Sequence, residues 1–339
     1  MHPLTLRRLL WTCGAMAAVL LACVVLALKL GAVPISVTEL MLNLGRIAIG
    51  QGDQLPSEYR LIIFDLRLPR ILLGILVGAA LSVSGASFQA LLRNPLADPF
   101  VLGVSSGAAL GSLLALTIAP QLAWIMPLGA FLGALATITA VYFLGRRDGQ
   151  LDSTTLLLGG IISASFLSAM IMFLVTTLSG RDLRGIVFWL MGDLSTPVPT
   201  SLRWIFTVGL LAGIGAIYTT APDLNLLLTG EREAIHLGVD VTRVKLVVYV
   251  SASLLTALAV SASGAIGYIG LLVPHAMRLL FGSDYRLLIP ASALGGAIAI
   301  VLADVLARTI AAPTELPVGA MTAMAGAPLF IYLLRRGLR

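Results

Sequence analysis

Residues 99–145 read PFVLGVSSGAALGSLLALTIAPQLAWIMPLGAFLGALATITAVYFLG, and no charged side chain interrupts them between Asp98 and Arg146. A helix rises 1.5 Å per residue, so a bilayer core of about 30 Å takes roughly 20 apolar residues. The stretch therefore holds two membrane-spanning helices, about 100–118 and 126–144, joined between Pro120 and Pro127. Arg146, Arg147 and Asp148 close the pair. A backbone in lipid must satisfy its own hydrogen bonds, and helices do so within one segment.

The same punctuation by charge extends in both directions. Upstream, Arg7 and Arg8 precede a span at about 9–28, and a more polar loop occupies 29–70. A second span runs from Ile71 to Leu92, between Arg70 and Arg93, and Pro95 and Pro99 break the chain after it. Downstream come spans at 154–178, 203–221, 287–306 and 316–334, and two more share 246–281 with Gly264 and Gly267 at their turn. A short helix is expected at 184–191, before Pro197 and Pro199. The pattern predicts an all-α, polytopic membrane protein of about ten transmembrane helices, a single domain over residues 1–339.

Composition agrees. The chain is 58% hydrophobic and 11% charged, where soluble domains carry roughly 25% charged residues. The uncharged run Leu9–Leu28 exceeds the roughly 7–15 residues of a secretory h-region, so it reads as a first span. The net charge is +6, but the cations lie between apolar runs rather than on one face, which argues against nucleic acid and for a positive-inside bias. Ten spans with Arg93, Arg146, Arg243, Lys245, Arg278 and Arg335 inside put both termini in the cytoplasm. Cys13 and Cys23 share one span about 15 Å apart, too far for a disulfide.

Chemistry inside the membrane is not signalled. His2, His236 and His275 are scattered, and no H-E-x-x-H or G-x-S-x-G motif exists. Neither lysine, Lys29 or Lys245, sits in a P-loop. The Gly264, Gly267, Gly270 spacing lies in an apolar span and reads as packing, as do the small-xxx-small pairs such as Gly74/Gly78 and Gly129/Gly133. We expect no catalytic residue, no bound metal and no cofactor of the chain's own. Ion-coupled carriers bury carboxylates at mid-depth. Here each acid lies at a span end or in a loop, with Asp304 nearest to an exception. Energy is therefore expected from a partner, and a stand-alone ion-coupled secondary transporter is the alternative. A membrane scaffold or sensor is a third class.

Two places suit partners. Residues 223–245 form the most polar interior segment. Within it Glu231–Leu237 reads as a short amphipathic helix capped by Gly238, with Ala234 and Leu237 as an apolar contact and Glu231, Arg232 and Glu233 as its rim. Elsewhere Arg67, Arg70 and Arg308 read as exposed cations, by themselves best taken as membrane-interface anchors, with receipt of a soluble partner's carboxylates as the other reading. An echo of Ala80–Ala86 in Ala259–Ala265 hints at an internal repeat.

Several motifs then occur in order: Arg67-Leu-Pro-Arg70, Gly78-Ala-Ala-Leu-Ser-Val-Ser-Gly85 and Gln89-Ala-Leu-Leu-Arg-Asn-Pro-Leu-Ala-Asp-Pro99. They continue with Leu102-Gly-Val-Ser-Ser-Gly-Ala108, Phe188-Trp-Leu-Met-Gly192, Gly264-Ala-Ile-Gly-Tyr-Ile-Gly-Leu-Leu-Val-Pro-His275, Ala303-Asp304 and Glu315-Leu-Pro-Val-Gly319. In these the chain resembles the FecCD-type permeases of ABC importers, over nearly its whole length. The resemblance implies the type II importer fold and a dimer of permeases, homodimer ahead of heterodimer. It also implies a pair of P-loop ATPases that hold ATP and magnesium, and a periplasmic binding protein. It implies a multi-pass chain of the inner membrane that carries a metal chelate, with ferric siderophore first and cobalamin or haem next. By the same resemblance Gly230, Glu231, Arg232, Ala234, Leu237 and Gly238 form the ATPase-coupling loop, and Arg67, Arg70 and Arg308 face the binding protein. Asn94, Leu96, Ser153 and Thr154 narrow the inner end of the pathway.

Overall fold

A computed structural model describes residues 4–31, 33, 35–48, 55–119, 121–122, 124–147, 150–177, 183–195 and 200–337. His2, Pro120, Asp148, Pro197, Pro199 and Arg339 lie outside the described residues. The described residues are mostly helical, with one two-residue strand pair among them, β1 (Arg146–Arg147) and β2 (Gln150–Leu151).

The apolar runs become helices where charge punctuation places them. α1 spans Leu6–Lys29. The segment expected as loop 29–70 is instead largely helical: α2 (Val37–Ala48) buries Leu40 and Asn43, and α3 (Ser57–Arg60) opens a helix that continues to Leu91. Within it Leu61–Arg67 is π-helical and α4 covers Leu68–Leu91. Pro69 has no N–H for the i−4 carbonyl, and the wider turn just before it accommodates that gap. The charges Glu58, Arg60, Asp65 and Arg67 made the segment read as loop, yet they extend the helix past the apolar core.

After a 3-10 turn, Pro99–Leu102, α5 (Val104–Ile118) and α6 (Ile125–Leu144) form the pair set out by the charge-free stretch. α7 (Ser153–Thr177), α8 (Leu183–Leu190) and α9 (Thr200–Thr219) follow. α10 (Ala221–Leu227) bends from α9 by 49°, and α11 is Glu231–His236. α12 (Val241–Ser263), α13 (Ile269–Phe281), α14 (Tyr285–Thr309) and α15 (Val318–Gly337) complete the chain. α12 starts at Val241, ahead of the expected position, because the Asp240 side chain accepts from Arg243 N at 3.0 Å and caps it.

Among the described residues six helices are long and apolar enough to cross a bilayer, and the bent α9–α10 pair makes a seventh. The apolar stretches of α5, α13 and α15 are shorter; counted with them, the described residues hold ten apolar helices, where ten spans were expected. Ala80–Ala86 and Ala259–Ala265 lie in different settings. The first lies wholly within α4, whereas the second runs off the end of α12 at Gly264.

α4 is the central post, buried without a break from Ala80 to Leu91. α14, α12 and α13 pack around it through small residues. A Cβ on Gly85 would overlap the Gly270 carbonyl, and one on Gly78 would overlap that of Gly296. Without a hydrophobic driving force between helices in lipid, such backbone approach supplies the packing. Replacing Gly85 by Val should therefore cost at least about 1–3 kcal/mol, the range for overpacked cores. A lowered unfolding temperature and loss of monodispersity in detergent would show it; unchanged behaviour would mean that the helices can separate freely there.

Candidate functional site

Two polar clusters stand at opposite ends of α4, a helix of about 36 Å by its rise per residue.

At the Leu68 end are the three arginines expected to be exposed. They are not. Arg67 and Arg308 are each 6% exposed. α1 ends at Lys29 and leaves its last carbonyls without helical donors. Arg67 donates to Leu28 O, Val33 O and Lys29 O, and Arg308 to Ala27 O at 3.3 Å and Leu30 O at 3.5 Å. Both therefore cap α1, where cations also suit the negative end of the helix dipole. Arg70 Nε pairs with Asp304 Oδ1 at 2.7 Å, and Arg308 Nε with Asp304 Oδ2 at 3.0 Å. Arg70 Nη1 pairs with Glu315 Oε2 at 2.7 Å. Glu315, 48% exposed, is the point at which this network meets the surface. Burial overrides the exposed reading because each guanidinium has carbonyls or carboxylates of its own chain to satisfy.

At the Leu91 end the expected coupling loop and gate come together. α11 closes with paired bonds, Val239 N to Ala234 O at 3.0 Å and Gly238 N to Ile235 O at 2.9 Å. Gly238 takes φ +87°. This is the Schellman ending, which favours glycine at the left-handed position. The apolar face differs from expectation. Ala234 is fully buried and anchors α11 to the chain's own core, while Ile235 (58% exposed) and Leu237 (61%) point outward. Glu231 is not a free rim residue either, since its Oε1 lies 2.8 Å from Lys245 Nζ and 3.3 Å from Arg93 Nη2. Arg232 is exposed. A cleft of about 400 Å³ opens beside Gly238, bounded by Thr220, Asp223 and Arg243.

The gate candidates are neighbours. Ser153 Oγ donates to Leu91 O at 3.1 Å, joining the start of α7 to the end of α4. Asn94 Oδ1 accepts from Leu96 N at 2.9 Å and so is used within its own turn. Leu96 and Thr154 carry the exposed side chains of the four. No site role was expected of Gln89, Arg278 or Asp284, although Gln89 opens one of the motifs and Arg278 is among the inner cations. Gln89 Oε1 accepts from Arg278 Nη2 at 3.0 Å, and Asn225 Nδ2 donates to Asp284 Oδ1 at 2.8 Å, tying α10 to α14. Arg286, with help from Asn225, holds the Asp284 carboxyl at about 2. Its contribution to stability is thus complete above about pH 4 and fades as pH falls towards 2. Arg8 Nη2 donates to Phe281 O at 2.9 Å, so the start of α1 shares this end. The Asp284/Arg286 spacing was visible in sequence; the cross-helix pairs were not.

A bundle of apolar helices with a polar cluster at each end defines a multi-pass membrane protein. Residues 19–336 match the FecCD transport family, and the chain belongs to it. It is 45% identical over 284 residues to the cobalamin import system permease protein BtuC of Halobacterium salinarum, covering 83% of this chain and 75% of that one. It is 42% identical over 277 residues to the hemin transport system permease protein HmuU of Yersinia pestis, covering 80% and 82%. A solved transporter described as of the metal-chelate ABC type, in an inward-facing conformation, superposes with a TM-score of 0.81 at 32% identity, covering 96% of this chain and 99% of that one.

Proposed function

We propose that this chain is the membrane-spanning subunit of an ATP-driven importer of the inner membrane, working as a dimer with two ATPase subunits and a periplasmic binding protein. The carrying observation is α11, a capped helix that turns Ile235 and Leu237 outward while Ala234 and Glu231 fix it to the bundle. Such a knob on the polar end of a membrane bundle suits a soluble motor. The Glu231 end is then cytoplasmic, with both termini, and the Arg70 end periplasmic, where Glu315 and Arg70 offer the meeting point for a binding protein. α7, the span least buried within the protomer, suits contact with a second copy. Asp304 is neutralised by two arginines near a helix end, so it is no ion ligand at mid-depth, which disfavours ion coupling.

The cargo is a metal chelate. The relatives named for cobalamin and hemin move cobalamin to first place, haem to second and ferric siderophore to third. The test is uptake into proteoliposomes holding the complete complex, with labelled cyanocobalamin, hemin and ferric ferrichrome as probes. ATP-dependent accumulation of one probe, dependent on the binding protein, is expected. Accumulation that survives ATP removal but collapses with the ion gradient would refute the reading.

A further inference from the structure

Two helix ends meet at one ion pair. α4 closes as α11 does, with Asn94 N bonded to Gln89 O at 3.2 Å and Arg93 N to Ala90 O at 3.2 Å. The left-handed position is Gly238 in α11 but Arg93, at φ +50°, in α4. A side chain there keeps a steric strain that glycine would not. Arg93 reaches Glu231 at the first residue of α11, on the same oxygen that Lys245 holds. Arg93 and Glu231 are 46% and 34% exposed at their side chains, and pairs so exposed add little to folding. Stability therefore explains neither the strain nor the pair.

What the pair does have is position. On one side of Arg93 is the coupling helix, and on the other the turn that carries Asn94 and Leu96. Immediately behind the turn, Gln89 Nε2 donates to Gly270 O at 3.4 Å and Leu271 O at 3.2 Å. The first of these carbonyls is left open because Pro274, four residues on, has no N–H. Through Gln89 and Arg278 the turn is thus tied to α13 as well.

We infer that Arg93 is a positioning residue that carries displacement of α11 into the 94–98 turn, so that the inner end of the pathway moves with the motor. The inference rests on the importer reading. Its test uses the complete complex in proteoliposomes and whichever of cyanocobalamin, hemin or ferric ferrichrome the wild type accumulates. Arg93→Gly removes the link while relieving the backbone strain. The complex should melt no lower than wild type and continue to hydrolyse ATP, but uptake per ATP should fall by about tenfold, within the usual span of coupling between sites. Arg93→Lys, which keeps a cation there, should retain most of the uptake. Wild-type uptake per ATP in Arg93→Gly overturns the inference, as does a loss that tracks a lowered melting temperature. If the wild-type complex accumulates none of the three probes with ATP, the importer reading fails, and this inference with it.

Discussion

Replacing Asp304 by Ala is expected to cost the permease about 3–5 kcal/mol, the range seen when one member of a buried ion cluster is removed. Asp304 is 2% exposed and stands between Arg70 and Arg308, each on a different oxygen. Without it two guanidinium groups stay buried with no carboxylate between them. Arg70 would keep only Glu315, and an exposed pair offsets about 0–1 kcal/mol at most. Arg308 could not swing out, because it also caps α1 through Ala27 O and Leu30 O. Thermal unfolding of the purified protein should show the loss, with α1 detaching first as judged by protease access near Lys29. Glu315→Gln should leave the melting temperature almost unmoved. Adding Arg70→Met to Asp304→Ala should recover part of the loss, since the two residues share one interaction and their effects do not add. An Asp304→Ala protein as stable as wild type would mean that water, not Asp304, neutralises the arginines.

That cluster also marks the boundary of what the sequence makes legible. Spans follow from local properties, apolar run length and flanking charge, and these placed all ten apolar helices. Where charge and helix continue together, as from Ser57 to Arg67, the rule fails because a helix can project beyond lipid. The end of α11 was readable because Gly238 is a local backbone requirement. The burial of Arg67, Arg70 and Arg308 was not, because it depends on α1 carbonyls some forty residues before Arg67 and on Asp304, which α14 brings alongside α4. Within α14 the four-residue spacing of Asp304 and Arg308 was visible; its third partner, Arg70, was not. The inward turn of Ala234, against an outward Leu237, has the same origin. Pattern alone shows which residues are apolar, and only packing against the bundle decides that Ala234 turns in while Ile235 turns out.

The second large effect is expected on assembly rather than on folding. Leu237→Asp should strip the ATPase subunits from the purified complex while leaving the permease itself folded. Ile235 is 58% exposed on α11 and Leu237, its C-cap, 61%, and the helix is fixed at both ends and unable to turn them away. Fully burying a leucine or isoleucine is worth about 1.5–3 kcal/mol, and central apolar anchors at interfaces reach 2 kcal/mol or more on truncation. A carboxylate in place of the anchor adds its own desolvation cost. Together these predict at least a thirtyfold weaker complex, on the scale of about 1.4 kcal/mol per tenfold. Quantifying the ATPase that co-purifies with Leu237→Asp, against Leu237→Met as a control, measures it. Ala234→Leu should behave differently, since Ala234 is fully buried inside the protomer and its enlargement pushes α11 off the bundle, lowering permease stability along with assembly. A Leu237→Asp permease that still retains stoichiometric ATPase and wild-type uptake would move the docking surface off α11, and the cleft beside Gly238 would then become the first place to look for it.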